Sequence, residues 1–400
     1  MSIELKLDKV ENKINGVEYI ILLFISFLVF VNISSLPYYN YFKYFILVVL
    51  GVYIILNNKY IFFNKLVCKY YFIIIFYAIL NIFISLFADN EISTRNSFLA
   101  SIVYFGSLLE IVLILLIMVN KGKFLHSFIT LKNILNISTF ICVLQILFLF
   151  TFYSIKNNQI LLFGDKFSMS YMILKCICFN WLYFNIINYN NKKLILYLLL
   201  FFNIFIAIIL QSGTSLLSTF FLLFLLIFDK KIFKFITNPI FIIFFIILSS
   251  TFVLWYPNLI KQDVIQYIFT FIGEDINTLS GRTNVFNALP LLIKNKILFG
   301  YGYGSSYDIL QYYAQTSNAQ NGFWELMFNS GIISALIYIL IIIKLIVFNK
   351  YKSKIISPIY FYIICSIFIS FIEVNFNNSI IVISLLGVFF ERTLLRGKKI

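Results

Sequence analysis

The sequence predicts an all-α membrane protein, a polytopic bundle of about twelve transmembrane helices with one large extracytoplasmic loop. The first reason is composition: 62% of the residues are hydrophobic and only 12% are charged, and the mean hydropathy is +0.96. A soluble chain cannot cover so much apolar surface with so few charges, so the excess must face lipid. Two further observations are the long uncharged stretches and the concentration of Lys and Arg in alternate connections.

The predicted spans are apolar stretches that contain at most one charge. A helix needs about 20 such residues to cross a bilayer, and about 17 are tolerated. The stretches are 19–42, 44–58, 70–88, 97–119, 133–155, 168–188, 235–260, 326–343, 355–372 and 374–390. The uncharged stretch 194–228 is too long for one helix, and its polar centre at 211–215 predicts two helices joined by a tight turn. The predicted total is therefore twelve.

The distribution of basic residues predicts the orientation. Connections assigned to the cytoplasm carry 21 Lys and Arg, whereas those assigned to the outer side carry 8. By the positive-inside rule both termini are then cytoplasmic. The start of the chain lacks the pattern of a cleaved signal peptide, so the first span is predicted to be an uncleaved anchor. Because topology explains the net charge of +15, no nucleic-acid partner is predicted.

The longest connection divides the chain into three parts. Residues 257–330 form a predicted outer loop of 74 residues, long enough to be a functional lid or binding loop. It separates an N-terminal bundle of about nine spans (1–256) from a C-terminal part (331–400) with about three spans and a basic cytoplasmic tail. Within the loop, 263–272 and 285–293 are predicted to be short helices on the membrane surface.

Two arginines are the first candidates for chemistry. The chain contains four, of which Arg392 and Arg396 belong to the cytoplasmic tail. Arg95 and Arg282 are predicted on the outer side, where the planar guanidinium suits phosphate oxygens. The alternative is that each contacts a lipid headgroup or an acid such as Glu91 or Asp275.

Two charges fall within predicted spans, where ionisable groups are costly and are functional candidates by default. Glu110 and Lys175 are predicted to form an intramembrane pair, or Lys175 extends toward an interface. Lys175 is kept as a candidate site residue.

The remaining composition argues against metal and hydrolytic chemistry. The five cysteines are odd in number and lie mostly in apolar runs, which predicts buried thiols. The single histidine, His126, falls in a cytoplasmic connection, so neither a metal site nor a nucleophile–histidine pair is predicted.

The richest polar stretch is 318–331. If it is helical, Asn321, Glu325 and Asn329 share one face. Such a stripe binds sugar hydroxyls or satisfies neighbouring helices, and both interpretations stay open. Upstream, Ser212 and Thr214 cap or line the tight turn, and Gly300, Gly302 and Gly304 predict a sharp, flexible, aromatic-rich turn around Tyr301.

An ordered set of motifs resembles the bacterial O-antigen ligase and polysaccharide polymerase family. These motifs are QSGTSLL at 211–217, GRT at 281–283 opening a helix, LFGYG at 298–302 closing it, QNGFWE at 320–325 and GII at 331–333. They cover about residues 160–350, and their order around one outer loop is more specific than any one of them. Ligases usually have an arginine where this chain has Gly213 and a histidine where it has Gln320, so the chain is more similar to a repeat-unit polymerase.

The resemblance implies an activity. A glycan would pass from an undecaprenyl-diphosphate donor to an acceptor sugar at the outer face of the bacterial cytoplasmic membrane, without a metal or cofactor. The product would be an O-antigen, a capsule or an exopolysaccharide. The partners would be the lipid-linked oligosaccharide, with a flippase and a chain-length regulator of the same pathway. The alternatives are a flippase or other transporter of lipid-linked oligosaccharide, and a non-catalytic scaffold.

Individual residues receive expected roles on this basis. Arg282, which matches the family's arginine after glycine, would stabilise the departing diphosphate, and Glu325 or Asp308 would accept the acceptor's proton. The residues expected to bind substrate are Arg95, Lys175, Ser212, Thr214, Tyr301, Gln320, Asn321 and Asn329.

Overall fold

A computed structural model describes residues 13–31, 38–61, 65–88, 92–152, 166–228, 233, 235–263, 276–347 and 354–396. These residues form α-helices with short 3₁₀ turns and no strand, so the predicted all-α class is confirmed for them. The fourteen α-helices are α1 (Gly16–Val29), α2 (Tyr39–Leu56), α3 (Lys65–Leu86), α4 (Ser97–Asn120), α5 (Phe124–Phe152), α6 (Lys166–Ile186), α7 (Lys192–Ile209), α8 (Gly213–Ile227), α9 (Pro239–Leu259), α10 (Ile276–Ile293), α11 (Ser306–Ala314), α12 (Gly322–Val347), α13 (Ser357–Ile369) and α14 (Asn378–Arg396).

Six of these helices are long and apolar enough to cross a membrane: α2, α4, α5, α7, α9 and α12. Apolar helices or helix segments of 10–17 residues occur in α1, α3, α8, α13 and α14. At a rise of 1.5 Å per residue, the 14 residues of α1 extend only about 21 Å, less than the roughly 30 Å of a hydrocarbon core. The helices indicate a membrane protein, and the count of twelve crossings stays a prediction.

The predicted tight turn within 194–228 is confirmed. Helix α7 ends at Ile209 and α8 begins at Gly213. Between them Gln211 adopts a left-handed conformation with φ 49°. The buried Ser212 hydroxyl accepts a hydrogen bond from the Ser215 amide at 3.4 Å, so Ser212 is the N-cap of α8.

Connections that were predicted to lie on the same side of the membrane contact each other. At one end, Lys121 and Lys123 bind Glu18 at 3.2 and 2.7 Å, which joins two connections assigned to the cytoplasm. At the other end, the Thr94 amide donates to Asp308 at 2.7 Å, which joins two connections assigned to the outer side. Which end faces the cytoplasm stays a prediction.

Apolar and aromatic packing holds the bundle together, with a few interhelical hydrogen bonds. Phe179 on α6 contacts Phe30 and Phe128, with ring centroids 5.3 and 5.4 Å away. The Ser334 hydroxyl on α12 donates to the Asn81 side chain on α3 at 2.8 Å, a contact typical of membrane helices. Of the five cysteines, Cys142, Cys176, Cys178 and Cys365 are buried free thiols as predicted; the side chain of Cys68 lies outside the described part.

The segment 257–330, predicted to be an outer loop, is more helical than predicted in its described residues. The predicted helix 285–293 lies within α10, which begins nine residues earlier, and α11 was not predicted. The predicted helix 263–272 falls almost wholly outside the described residues.

Helix α12 is broken at Gly331, which has φ 73° and ψ 176°. The segment 297–301 fills the break: the Tyr301 amide donates to the Phe328 carbonyl at 2.8 Å, and the Ile332 amide donates to the Ile297 carbonyl at 2.8 Å. A Cβ on Gly300 would approach the Phe328 carbonyl oxygen to 2.6 Å. The glycine-rich turn is therefore sharp, as predicted, but it is fixed against α12 by backbone hydrogen bonds and close contact rather than flexible.

Candidate functional site

A cavity of about 520 Å³ lies among the ends of several helices. Its volume is within the range of small-molecule sites, roughly 300–1,000 Å³. Of the described residues, three with charged side chains line it: Lys175, Arg282 and Glu373. Its amide, hydroxyl and phenol groups come from Tyr39, Tyr104, Ser168, Tyr171, Ser317, Asn318, Gln320, Asn377, Asn378 and Ser379, and its apolar part from 27–31, Phe167 and Val374.

Arg282 lies on α10 and connects two segments that are distant in sequence. Its Nε donates to Gln320 Oε1 at 3.2 Å, and its Nη2 donates to Glu373 Oε1 at 3.4 Å. The guanidinium side chain is 24% exposed and the Glu373 side chain 13%, so both remain accessible from the cavity. Arg282 is the seventh residue of α10 rather than the residue that opens the helix.

Glu373 was not predicted as a site residue. The expected acidic partners of Arg282 were Glu91 and Asp275, which both lie outside the described residues. The sequence did contain a signal, because Glu373 is the single charge between the apolar stretches 355–372 and 374–390.

Lys175 contributes a second cation to the same cavity. Its side chain is 7% exposed, and Nζ donates to the carbonyl oxygen of Val29, the last residue of α1, at 3.4 Å. Within the described part of the chain the ion pairs are those of Glu18 and that of Arg282 with Glu373. The predicted pair between Glu110 and Lys175 is therefore wrong, and Glu110 Oε1 instead lies near Gly51 on α2.

The stripe predicted on α12 is only partly formed and lies outside the cavity lining. Glu325 and Asn329 do share a face, since Asn329 Nδ2 donates to Glu325 Oε1 at 2.8 Å. Glu325 also accepts from the Ser306 hydroxyl at 2.6 Å and the Ala319 amide at 2.9 Å.

Asn321, the third member of the predicted stripe, precedes the helix instead of lying on that face. Its side-chain oxygen accepts from the amides of Phe323 and Trp324, both at 3.1 Å, as an N-cap does. Its side-chain amide donates to the backbone carbonyls of Ser249 and Phe371. Asn321 therefore joins the start of α12 to α9 and to the segment after α13.

Asp308 and Arg95 lie together, away from Arg282. Asp308 Oδ2 accepts from the Thr94 amide at 2.7 Å and from the hydroxyls of Thr94 and Ser93 at 3.0 and 3.3 Å. Burial is the largest single effect and raises the pKa of Asp308, but the hydrogen bonds from Thr94, Ser93 and the Arg95 backbone together outweigh it and hold that pKa below its usual value.

Arg95 is exposed and lines a different cavity. Its guanidinium lies over the Tyr307 ring, 5.2 Å from the centroid. The cavity has a volume of about 340 Å³ and includes the hydroxyls of Ser85, Ser93 and Ser97. The structure therefore does not bring Arg95 and Arg282 into one site.

The other expected substrate-binding residues have structural contacts. Tyr301 stacks on Phe328 with centroids 4.7 Å apart, and its hydroxyl donates to the Leu292 carbonyl at 2.6 Å. Ser212 and Thr214 are buried at the α7–α8 turn and do not line the cavity. Of the expected site residues, the cavity therefore unites Arg282, Lys175 and Gln320.

Tyr104 and the start of α14 complete the cavity and were also missed. Asn378, the first residue of α14, donates from its amide to the Tyr104 hydroxyl at 3.0 Å and from its side chain to the Tyr104 carbonyl at 2.8 Å. Tyr104 also stacks on Tyr303, with centroids 4.5 Å apart. The N-terminal end of a helix carries partial positive charge, so this wall also favours anions.

Comparison with protein-family models, with curated proteins and with solved structures finds no match for this chain. Among the described residues, no group of three or more His, Cys, Asp or Glu side chains can hold a metal ion.

Proposed function

We propose that this protein is a polymerase of a surface polysaccharide. It transfers glycan from an undecaprenyl-diphosphate-linked donor to an acceptor repeat unit at the outer face of the bacterial cytoplasmic membrane. The observation that carries the proposal is the contact between Arg282 and Gln320, which lie 38 residues apart in sequence. They belong to the GRT and QNGFWE motifs, so two motifs of the family resemblance meet in one cavity.

The lining of the cavity suits a glycan attached to an anion. Amides and hydroxyls such as those of Asn318, Asn377 and Ser379 can donate to and accept from sugar hydroxyls. Tyr104 offers a ring for a sugar face, and Arg282 and Lys175 supply positive charge for a phosphate. A volume of about 520 Å³ is adequate for part of an oligosaccharide.

Arg282 and Glu373 have separate roles in the proposed transfer step. An acceptor hydroxyl forms a bond to the anomeric carbon of the donor, and the bond from that carbon to the diphosphate oxygen breaks. The hydroxyl proton passes to Glu373. As that carboxylate becomes neutral, the charge of Arg282 becomes available to the diphosphate, which gains negative charge in the same step.

We assign this role to Glu373 because of its position. A general base must lie within hydrogen-bond reach of the proton that it accepts, and Glu373 lines the cavity beside Arg282. Glu325 and Asp308 do not line the cavity.

Substitution of Arg282 tests the proposal in a strain that makes the polymer. We expect Arg282→Ala to abolish long chains on a gel, and Glu373→Gln to shorten them strongly. Lys296→Ala removes an exposed cation just after α10 and serves as a control that leaves chain length unchanged. Normal long chains in the Arg282→Ala strain would refute the assignment.

The lipid carrier separates this proposal from the flippase alternative. A polymerase defect leaves single repeat units on the carrier at the outer face, whereas a flippase defect leaves them at the cytoplasmic face. Accumulation at the cytoplasmic face in the Arg282→Ala strain would favour the transporter.

A further inference from the structure

The cations of the cavity differ in how far they are neutralised. Arg282 has a carboxylate partner in Glu373 at 3.4 Å. No carboxylate of the described residues lies within ion-pair distance of Lys175. Among the described residues of the lining the charged side chains are Lys175, Arg282 and Glu373, so these residues together contribute one net positive charge, located at Lys175.

The hydrogen bonding of Lys175 leaves donors unused. An ammonium group has three N–H donors, and its recorded partner is the Val29 carbonyl oxygen at 3.4 Å. That carbonyl belongs to the last residue of α1, where helix carbonyls lack intrahelical partners and carry partial negative charge. It holds Lys175 in place without neutralising it. With 7% of the side chain exposed, water from bulk does not solvate the charge well, and burying an unpaired charge is costly.

The surroundings of Lys175 indicate what kind of anion completes the site. The apolar part of the lining includes the end of α1 from Phe27 to Val31, and the Lys175 ammonium contacts this segment through Val29. The amides of Gln320 and Asn378 form part of the same lining. Lys175 therefore contacts the end of α1, whose apolar residues line the cavity together with amide and hydroxyl groups of other segments. One cavity thus offers contacts for a molecule whose anion joins an apolar chain to a polar group.

We propose that Lys175 binds the phosphate of the polyprenyl lipid carrier, with the apolar chain along the end of α1. This inference deepens the proposed function and takes the identity of the carrier from it. It separates phosphate recognition by Lys175 from stabilisation of the leaving charge by Arg282.

Binding of lipid without glycan tests the inference. Radiolabelled undecaprenyl diphosphate is titrated into the purified full-length protein in detergent micelles, with undecaprenol and inorganic pyrophosphate as competitors. Loss of a charge-assisted hydrogen bond should weaken binding about ten- to a hundredfold in Lys175→Met. Lys175→Arg should keep most of the affinity, because it keeps the charge.

A second lysine within a membrane helix provides the matched control. Lys344 lies on α12 outside the cavity lining, and Lys344→Met should bind the lipid as the wild type does. Lys175→Gln is a second loss-of-charge variant that can still donate to the Val29 carbonyl, so it reports on charge even if the methionine variant does not fold.

Three results would overturn the inference. The first is equal binding of undecaprenyl diphosphate by the wild type and by folded Lys175→Met or Lys175→Gln. The second is competition by undecaprenol as strong as that by the diphosphate, which would leave no role for the anion. The third is competition by inorganic pyrophosphate at equal concentration, which would assign the site to free phosphate. Since no glycan transfer is measured, this outcome is independent of the Arg282→Ala polymer assay.

Discussion

Two polar clusters near the same end of the bundle differ in how completely their hydrogen bonds are used. Around Glu325, both carboxylate oxygens accept bonds of 2.6–2.9 Å from Ser306, Asn329 and Ala319. In the cavity, the contacts of Arg282 and Lys175 are 3.2–3.4 Å long. The first cluster is saturated and ties α11, α12 and the segment before α12 together, whereas the second keeps donors for a ligand. Polar residues of these two clusters therefore differ in their roles. A residue whose hydrogen bonds are all made within the protein is structural, whereas one with unused donors can bind a ligand.

The largest expected effect belongs to the break in α12. Gly331 has a conformation accessible essentially to glycine alone, and a Cβ there would lie 2.0 Å from the Leu298 carbonyl oxygen. Gly331→Ala should lower the free energy of unfolding by at least about 3 kcal/mol, measured by thermal unfolding in detergent.

Gly106→Ala is the control, since a Cβ at Gly106 on α4 meets nothing within 4 Å, and it should stabilise by about 0.5–1 kcal/mol. Equal stability of the two variants would show that segment 297–301 does not fill the break.

The second prediction tests whether the Glu325 cluster is structural. Glu325→Gln replaces an acceptor with a donor that faces the Ser306, Asn329 or Ala319 donors. We expect a loss of about 1–3 kcal/mol in stability and an unchanged polymer length for the protein that remains folded. Shortened chains at unchanged thermal stability would instead restore Glu325 to the catalytic residues.

The third prediction concerns the ion pair in the cavity, where a smaller effect on stability is expected. Arg282 and Glu373 are partly exposed and their closest recorded contact is 3.4 Å, so solvent screens the pair. A double-mutant cycle with Arg282→Ala and Glu373→Gln should give a coupling free energy of about 0.2–1 kcal/mol in thermal unfolding. A coupling of several kcal/mol would place this pair with the saturated cluster and weaken its assignment as a site.

The smallest effect is expected at Asp308 and depends on pH. Its pKa is lowered in the folded state below the usual value of 3.8, because the hydrogen bonds from Thr94 and Ser93 outweigh the opposing effect of burial. Its contribution to stability is therefore complete above about pH 4 and is lost as the pH falls through the folded pKa. At pH 7 the wild type should protect the Thr94 amide from hydrogen exchange, and Asp308→Asn should expose it. Equal protection in both proteins would contradict the contact.

The helices were predictable because apolar stretches and charged connections are local properties of the sequence. The break between α7 and α8 followed from the polar residues 211–215, and the grouping of connections at two ends followed from the alternation of Lys and Arg. Arg282 and Lys175 were found as individual candidates because charges at or within a membrane are costly, and Gln320 was found through the family resemblance.

Their arrangement was not predictable, because it depends on long-range packing. Nothing local distinguishes Asn321, which is fully buried and caps α12, from Gln320, which faces the cavity one residue earlier. Likewise, the interaction of Glu373 with Arg282 across 91 residues depends on how α10 and α13 are placed. The pairing of Glu110 with Lys175 failed for the same reason, since opposite charges in spans do not specify which helices are neighbours.

The contacts that fill the break in α12 limit how the cavity can widen. Segment 297–301 follows α10, and its backbone is bonded to both sides of Gly331, so the helix that bears Arg282 is coupled to α12. Gln320 lies just before α12 and contacts Arg282 on α10, so α10 and α12 are joined at a second point. Widening the cavity on this side would break these main-chain hydrogen bonds, and buried backbone groups that lose their partners are costly. Under the proposed function, a bulky ligand should therefore enter beside the end of α1, where Lys175 on α6 contacts the Val29 carbonyl.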